Sequence, residues 1–391
     1  MVWENTDGYV DSEFNSKSSA REDDVEYEID GAEEHDGDSF DPEKINVKIA
    51  QPTIYNIVQR IIADPQEIDM CTKFQRGHNI WNDVIKSRLI ESLLLRIPLP
   101  AFYFDGTDDE KWLVVDGLQR LWAFYDFMGT QTLKLKGLEY LKQYEGKTFA
   151  QLPRNMVRRI EETQIIANVI QPGTPDEVKF NIFKRINTSG YNLNSQEIRH
   201  AVYHGQAADF IEELSEFPEF KMFKIPEKRM DDQEVVTRFI AFFTLNEKQY
   251  KPTMDDFLAI CMEQLKKSTE RDRDVLRKAF SSAMNRAQIL FKDMAFRKLG
   301  KQANGRLYPI NKALFEVWSV VLAQLTEKEF SCLQDNFLDF NKKYKILCKD
   351  EEFLKSISTG TGHTDAVLCR FGMIRQLVEE FAEDVKNNTV G

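Results

Sequence analysis

An acid, a glycine, an amide and an arginine fall within five residues of this chain, at Asp116, Gly117, Gln119 and Arg120 in the stretch VVDGLQRLWAFYDFM. Val114 and Val115 read as a buried strand, and Leu118, Leu121, Trp122, Tyr125 and Met128 as the apolar stripe of a helix. The polar group therefore stands where a strand gives way to a helix. Unpaired N–H groups and the helix dipole make such a first turn attractive to anions. A basic residue there works against the dipole, so Arg120 calls for a negative partner. Two partners are open. One is Asp116, which is also placed to cap the helix. The other is a phosphate, gripped bidentately by the guanidinium, with Gly117 letting the backbone approach it closely.

Two more clusters have a similar make-up. Gln75 and Arg76 lie in FQRGHNIW, just after a strand, and Arg185, Asn187, Thr188 and Ser189 lie in FKRINTSG, at the end of a helix. Each joins an arginine to an amide. If the three meet, they make a basic, hydrogen-bonding pocket suited to a polyphosphate.

The elements that must position these residues follow from periodicity. INVKI alternates as a short strand, and Pro52 and Thr53 open a helix that Pro65 ends. EIDM is a second strand, and NDVIKSRLIESLLLRI a helix stopped by Pro98 and Pro100. AFYF and WLVVD pair as a hairpin around the polar turn DGTDDEK. TQIIANVI is a later strand, and DEVKFNIFKRI a helix with Asp176 near its start. Asn194 and Glu197 then form a capping box for the next helix. Beyond about residue 206 helical segments dominate, at 231–245, 253–268, 270–298, 309–325, 327–345 and 364–386. No repeat of fixed period is visible.

The net charge of −12 misrepresents the body of the chain. Residues 1–43 hold 16 of the 64 acidic residues but only two of the 52 basic ones, Lys17 and Arg21. The remainder is close to neutral, which neither demands nor excludes a nucleic-acid partner. Ordering the tail would cost roughly 1–2 kcal/mol per residue of backbone entropy, and its few large apolar residues cannot offset that. A disordered, solubilising acidic tail over 1–43 is expected. A mimic that folds back over a basic groove, or a partner-docking segment, are the alternatives. No apolar run is long enough for a transmembrane helix, and the N-terminus lacks a secretory pattern. The five cysteines are odd in number and widely spaced, so reduced thiols in a cytoplasmic protein are expected.

Together FQRGHNIW, LIESLLLRIPLPAFYF, VVDGLQR and FKRINTSGYNLNSQEIRHAVYHG stand in the order and rough spacing of a known family. They resemble the N-terminal domain of GmrSD-type modification-dependent restriction endonucleases. The resemblance implies an α+β, ParB/sulfiredoxin-like domain over 44–205 that binds and hydrolyses a nucleoside triphosphate in a defence context, followed by an all-helical domain over 206–391. It matches Asp116, Gly117, Gln119 and Arg120 to the family's Asp-Gly-Gln-Gln-Arg motif, with Leu118 in place of the first glutamine. Leu118 removes one hydrogen-bonding group from that motif. The implied catalytic residues are Asp116 and Arg120. The implied nucleotide-binding residues are Gln75, Arg76, Gly117, Gln119, Arg185, Asn187 and Thr188. Asp116 would hold Mg²⁺ against the phosphates or orient the attacking water. GmrSD-type enzymes usually add a nuclease domain with a His-Asn-His-like metal site, whereas only His363 follows residue 204 here. Cleavage is therefore expected from a separate nuclease or effector protein, with DNA a possible partner. A non-catalytic, nucleotide-sensing or DNA-associated adaptor is the alternative.

Three other features compete for notice. EGKT at 145–148 imitates a P-loop, but residue 141 is Leu where the motif needs glycine. His200 and His204 are spaced as metal ligands, yet no zincin-type glutamate stands between them, and no protein metal site is expected. Of the basic runs, KSTERDRDVLRK is interleaved with acids and reads as a solvated face. FRKLGKQANGR, at 296–306, is more purely basic, and either solvent or a polyanion suits it.

Overall fold

A computed structural model describes residues 25–26, 44–70, 80–186, 193–251 and 253–387, with 382–387 by backbone alone. The chain divides into two units, Phe40–Val202 and Tyr203–Gly391, the second of which includes Val25 and Glu26.

The first unit is α+β. Its elements are β1 (Val47–Ala50), α1 (Ile54–Ile62), β2 (Ile68–Asp69), α2 (Asp83–Leu94), β3 (Phe102–Asp105), β4 (Trp112–Asp116), α3 (Leu118–Phe124), α4 (Arg154–Glu161), β5 (Ala167–Ile170), α5 (Asp176–Ile186) and α6 (Ser195–Val202). Thr53 starts α1 by accepting the Asn56 N–H at 3.2 Å, and Ile54, Ile57, Val58 and Ile61 give the helix a buried face at helical spacing. The sheet runs β1-β5-β3-β4-β2. β3 and β4 form the expected antiparallel hairpin, with a register shift between Tyr103 and Phe104. β5 lies parallel to β3, pairing Phe102 with Ala167 and Asp105 with Ile170. The β3 side chains Phe102 and Phe104, fully buried, pack with Val114, Leu121, Phe124 and Phe127 in the core.

Two buried charges lock loops onto this core. Glu91 on α2 accepts the N–H groups of Glu139, Tyr140 and Leu141 at 2.9, 2.8 and 2.7 Å. Burial pushes its carboxyl up, but those three donors outweigh burial and hold it below the usual range. Lys86, also on α2, pairs with Asp126 at 2.6 Å.

The second unit is helical: α7 (Gln206–Ser215), α8 (Pro218–Lys221), α9 (Asp231–Leu245), α10 (Met254–Lys266), α11 (Glu270–Phe291), α12 (Lys312–Gln324), α13 (Glu327–Asp335), α14 (Phe337–Leu347), α15 (Glu351–Ser356) and α16 (Thr364–Asn387). Two helices expected as continuous are interrupted. The 270–298 segment stops at Phe291, where Lys292 turns to φ 51°. The 327–345 segment divides at Asn336, which ends α13 and begins α14. The core is aromatic, with Phe239 on Phe280 at 5.0 Å and Trp318 donating to the Tyr344 hydroxyl at 3.1 Å. A chain of alternating charges leads into it from half-buried Lys312, Asp231 and Glu234. Lys312 meets Asp231 and Glu234, Glu234 meets Arg238 at 3.0 Å, Arg238 meets Glu316 at 3.1 Å, and Glu316 meets Arg370. Arg370 and Glu316 are fully buried, and Arg370 also donates to the Ser356 and Thr361 carbonyls at 3.1 and 2.8 Å.

Cys261, Cys332, Cys348 and Cys369 are free thiols. Among the described residues no helix is long and apolar enough to cross a membrane.

Candidate functional site

Asp116 is the last residue of β4, and Gly117 is the N-cap of α3. Gly117 has φ 103°, and a Cβ there would collide with the Phe102 ring. The close approach that glycine permits is thus to Phe102. Asp116 does not cap the helix, since α3 has no side-chain cap. Its carboxylate instead accepts the Arg120 guanidinium at 3.0 Å.

Arg120 turns inward rather than away from the core, and is only 9% exposed. It donates through Nη1 to the Pro100 carbonyl and through Nη2 to Ala101 O, at 3.2 Å, and to Asp116. Its guanidinium lies 4.2 Å from the centre of the Phe102 ring. The negative partner inferred for it is therefore Asp116, reinforced by two backbone carbonyls at the entry to β3. Burial pushes the Asp116 carboxyl above its ordinary range, against the opposing pull of the Arg120 charge. Burial likewise lowers the Arg120 value, offset in part by Asp116. The Asp116 side chain keeps about a third of its surface, 34%, open.

Gln119 is half-buried, and its Oε1 accepts the N–H groups of Ile80 and Trp81 at 3.0 and 3.2 Å. This joins the first turn of α3 to the end of the segment that carries Gln75 and Arg76. Leu118 is 7% exposed and belongs to the core. The residue that replaces a glutamine of the family motif therefore packs among apolar side chains.

Arg185 lies exposed in the last turn of α5. Gln75, Arg76, Asn187, Thr188 and Ser189 lie outside the described residues. The structure thus brings together Asp116, Gly117, Gln119 and Arg120 with residues 80–81.

A polar cluster that sequence reasoning missed lies at the opposite end of β3. Lys179, 5% exposed, pairs with Asp176 at 2.8 Å and reaches Asp105 at 3.5 Å. Asp105 accepts the Thr107 N–H and hydroxyl at 2.9 and 2.7 Å. The signal was an acid ending an apolar strand, with a lysine three residues into the α5 helix from Asp176. The lysine fastens α5 to the sheet, although Asp105 Oδ2 is left without a hydrogen bond, facing Lys179 only as a charge. Neither lure gains from its surroundings. Glu145 of EGKT accepts the N–H groups of Gly137 and Leu138 at 2.7 and 3.1 Å. His200 is buried in α6, whereas His204 is exposed and beyond its end. No group of three or more potential metal ligands occurs among the described residues.

In this small mixed sheet β4 leads straight into the Asp-Gly-x-Gln-Arg turn that opens α3. Residues 58–204 match the family model described as GmrSD restriction endonuclease, N-terminal domain. The match covers 147 of the 391 residues, all but the last two within the first unit. No match was found among curated proteins or among solved structures.

Proposed function

We propose that this chain binds and hydrolyses a nucleoside triphosphate as part of a DNA-directed restriction or defence system, with DNA cleavage supplied by a separate protein. The observation that carries the reading is the family match over 58–204, which contains the Asp116–Arg120 turn and the Gln119 link to Ile80 and Trp81. Arg120, with its donors directed at two carbonyls and Asp116, acts as a positioning residue that fixes the carboxylate. Phosphate contacts then fall to Gln75, Arg76, Asn187, Thr188 and Arg185.

Mg²⁺ suits this arrangement, because it needs only one or two protein carboxylates when phosphates supply other ligands. Asp116, about a third open at 34%, offers one. When bound, the ion would neutralise charge on the phosphoryl oxygens. Asp116 would also orient the attacking water.

The test is a thermal-shift panel of the common NTPs with Mg²⁺, paired with phosphate release. At least one NTP should raise the melting temperature, and Asp116→Asn should abolish release while leaving most of the shift. No shift with any NTP would refute the proposal. The pairing of Asp116 with Arg120 at 3.0 Å favours a second reading, a nucleotide sensor without turnover that recruits an effector. It predicts the thermal shift with no phosphate released.

A further inference from the structure

We propose that the helical unit carries a docking site for an extended apolar–acidic peptide, and that Val25–Glu26 of the chain's own acidic N-terminal region occupies it. The basic run at 296–306 opens an irregular hairpin. Arg297 bridges antiparallel to Ile310, and Lys301 to Leu307. The turn is closed by Gln302 N–H to Arg306 O at 2.7 Å and Gly305 N–H to Gln302 O at 2.8 Å. Val25 adds to this hairpin through a parallel bridge to Ile310, and the Glu26 N–H donates to Ile310 O at 2.7 Å.

The two side chains are read separately, as successive residues of an added strand are. Val25 is 4% exposed. The Glu26 carboxylate receives Lys298 Nζ at 2.6 Å and Asn311 Nδ2 at 2.8 Å. Asn311 is held ready for this contact. Its Oδ1 caps α12 by accepting the Leu314 N–H at 2.8 Å, and its Nδ2 also donates to Ile357 O at 2.8 Å. One backbone bond sets the register, one apolar seat takes valine, and one cation–amide pair selects an acid. The sequence around the anchor, REDDVEYEID, is acidic, and the hairpin sequence is basic. Of the basic run at 296–306, Lys298 is thus taken by an acid of the chain's own N-terminal region. This inference does not depend on the nucleotide reading.

The experiment uses the full chain and a fluorescent peptide of residues 20–31. In the wild type the site is filled in cis, and the peptide binds weakly. Val25→Asp in the chain should empty the site, raise peptide affinity at least tenfold and speed amide exchange across 20–30. Adding Lys298→Glu should cancel the gain, and a peptide bearing Glu26→Lys should bind that double variant better than the unmodified peptide does. Melting curves establish that each variant is folded. The proposal is overturned if Val25→Asp changes neither exchange nor affinity, or if binding ignores Lys298→Glu. A wild-type dimer held by exchanged tails would likewise overturn the assignment in cis.

Discussion

Gln119 Oε1 takes the N–H of Trp81 at 3.2 Å and that of the preceding residue, Ile80, at 3.0 Å, so one motif side chain holds a backbone 38 residues away. Hydrogen bonds of this kind contribute about 0.5–1.5 kcal/mol each. Gln119→Ala should therefore cost on the order of 1–2 kcal/mol of stability. It should also speed amide exchange at Ile80 and Trp81, whose N–H groups the glutamine accepts. Under the nucleotide reading it weakens binding through the freed segment, and Gln119→Glu, which keeps the acceptor, should retain most of it. Equal exchange in wild type and Gln119→Ala would contradict this role.

Arg120→Ala should act first on the fold. The residue is 9% exposed and holds two carbonyls and Asp116. Hydrogen bonds to charged groups contribute about 1.5–3 kcal/mol, so a loss of about 3 kcal/mol is expected in denaturant unfolding. Arg120→Lys keeps the charge but not the planar fork, and should recover less than half. Wild-type stability in Arg120→Ala would mean the guanidinium is not seated as described.

Gly117→Ala should be more damaging than its size suggests. The backbone sits at φ 103°, and the new methyl meets the Phe102 ring. Strain at such a position costs on the order of 1–3 kcal/mol. Pairing Gly117→Ala with Phe102→Leu should relieve the collision but not the dihedral strain. The double variant should thus cost less than the sum of the singles, and strict additivity would show that ring contact is not the cause.

Asp231 gives the helical unit a pH signature. Burial pushes its carboxyl up to about 6, against the pull of Lys312. A folded value above the unfolded one means the folded state binds the extra proton. Its contribution is therefore most favourable below the unfolded range and is lost as pH rises through about 6. Between pH 7 and 5 the wild type should gain stability relative to Asp231→Asn, read as the difference in melting temperature. Parallel pH curves for the two proteins would rule the effect out.

Much of the frame was legible because it rests on local rules. The helices Asp176–Ile186 and Asp231–Leu245 have the bounds that periodicity and flanking residues dictate. The Asn194–Glu197 capping box forms as its spacing requires, at 2.7 and 2.8 Å. Asp116 was recognisable as a partner for Arg120, since an arginine in a helix's first turn works against the dipole and calls for a nearby negative charge. The inward turn of Arg120 was not. It depends on carbonyls 19 and 20 residues earlier and on the face of Phe102. The Glu91 clamp was equally hidden, as its three donors lie 48–50 residues away. Leu118 looked like a lost polar contact because the motif suggested a pocket there, whereas the fold supplies core. The breaks at Lys292 and Asn336 left no proline or glycine signal in the sequence.

The file of charges from half-buried Asp231 to fully buried Arg370 constrains how this chain can vary over evolutionary time. Each interior member has a neighbour of opposite sign on either side, from Lys312 through Glu234, Arg238 and Glu316. Substituting one alone strands its neighbours in a medium that penalises uncompensated charge, whereas exchanging the members for apolar residues together removes the penalty. Descendants of this sequence should therefore alter these positions in concert, and their alignment should show correlated replacement along the file.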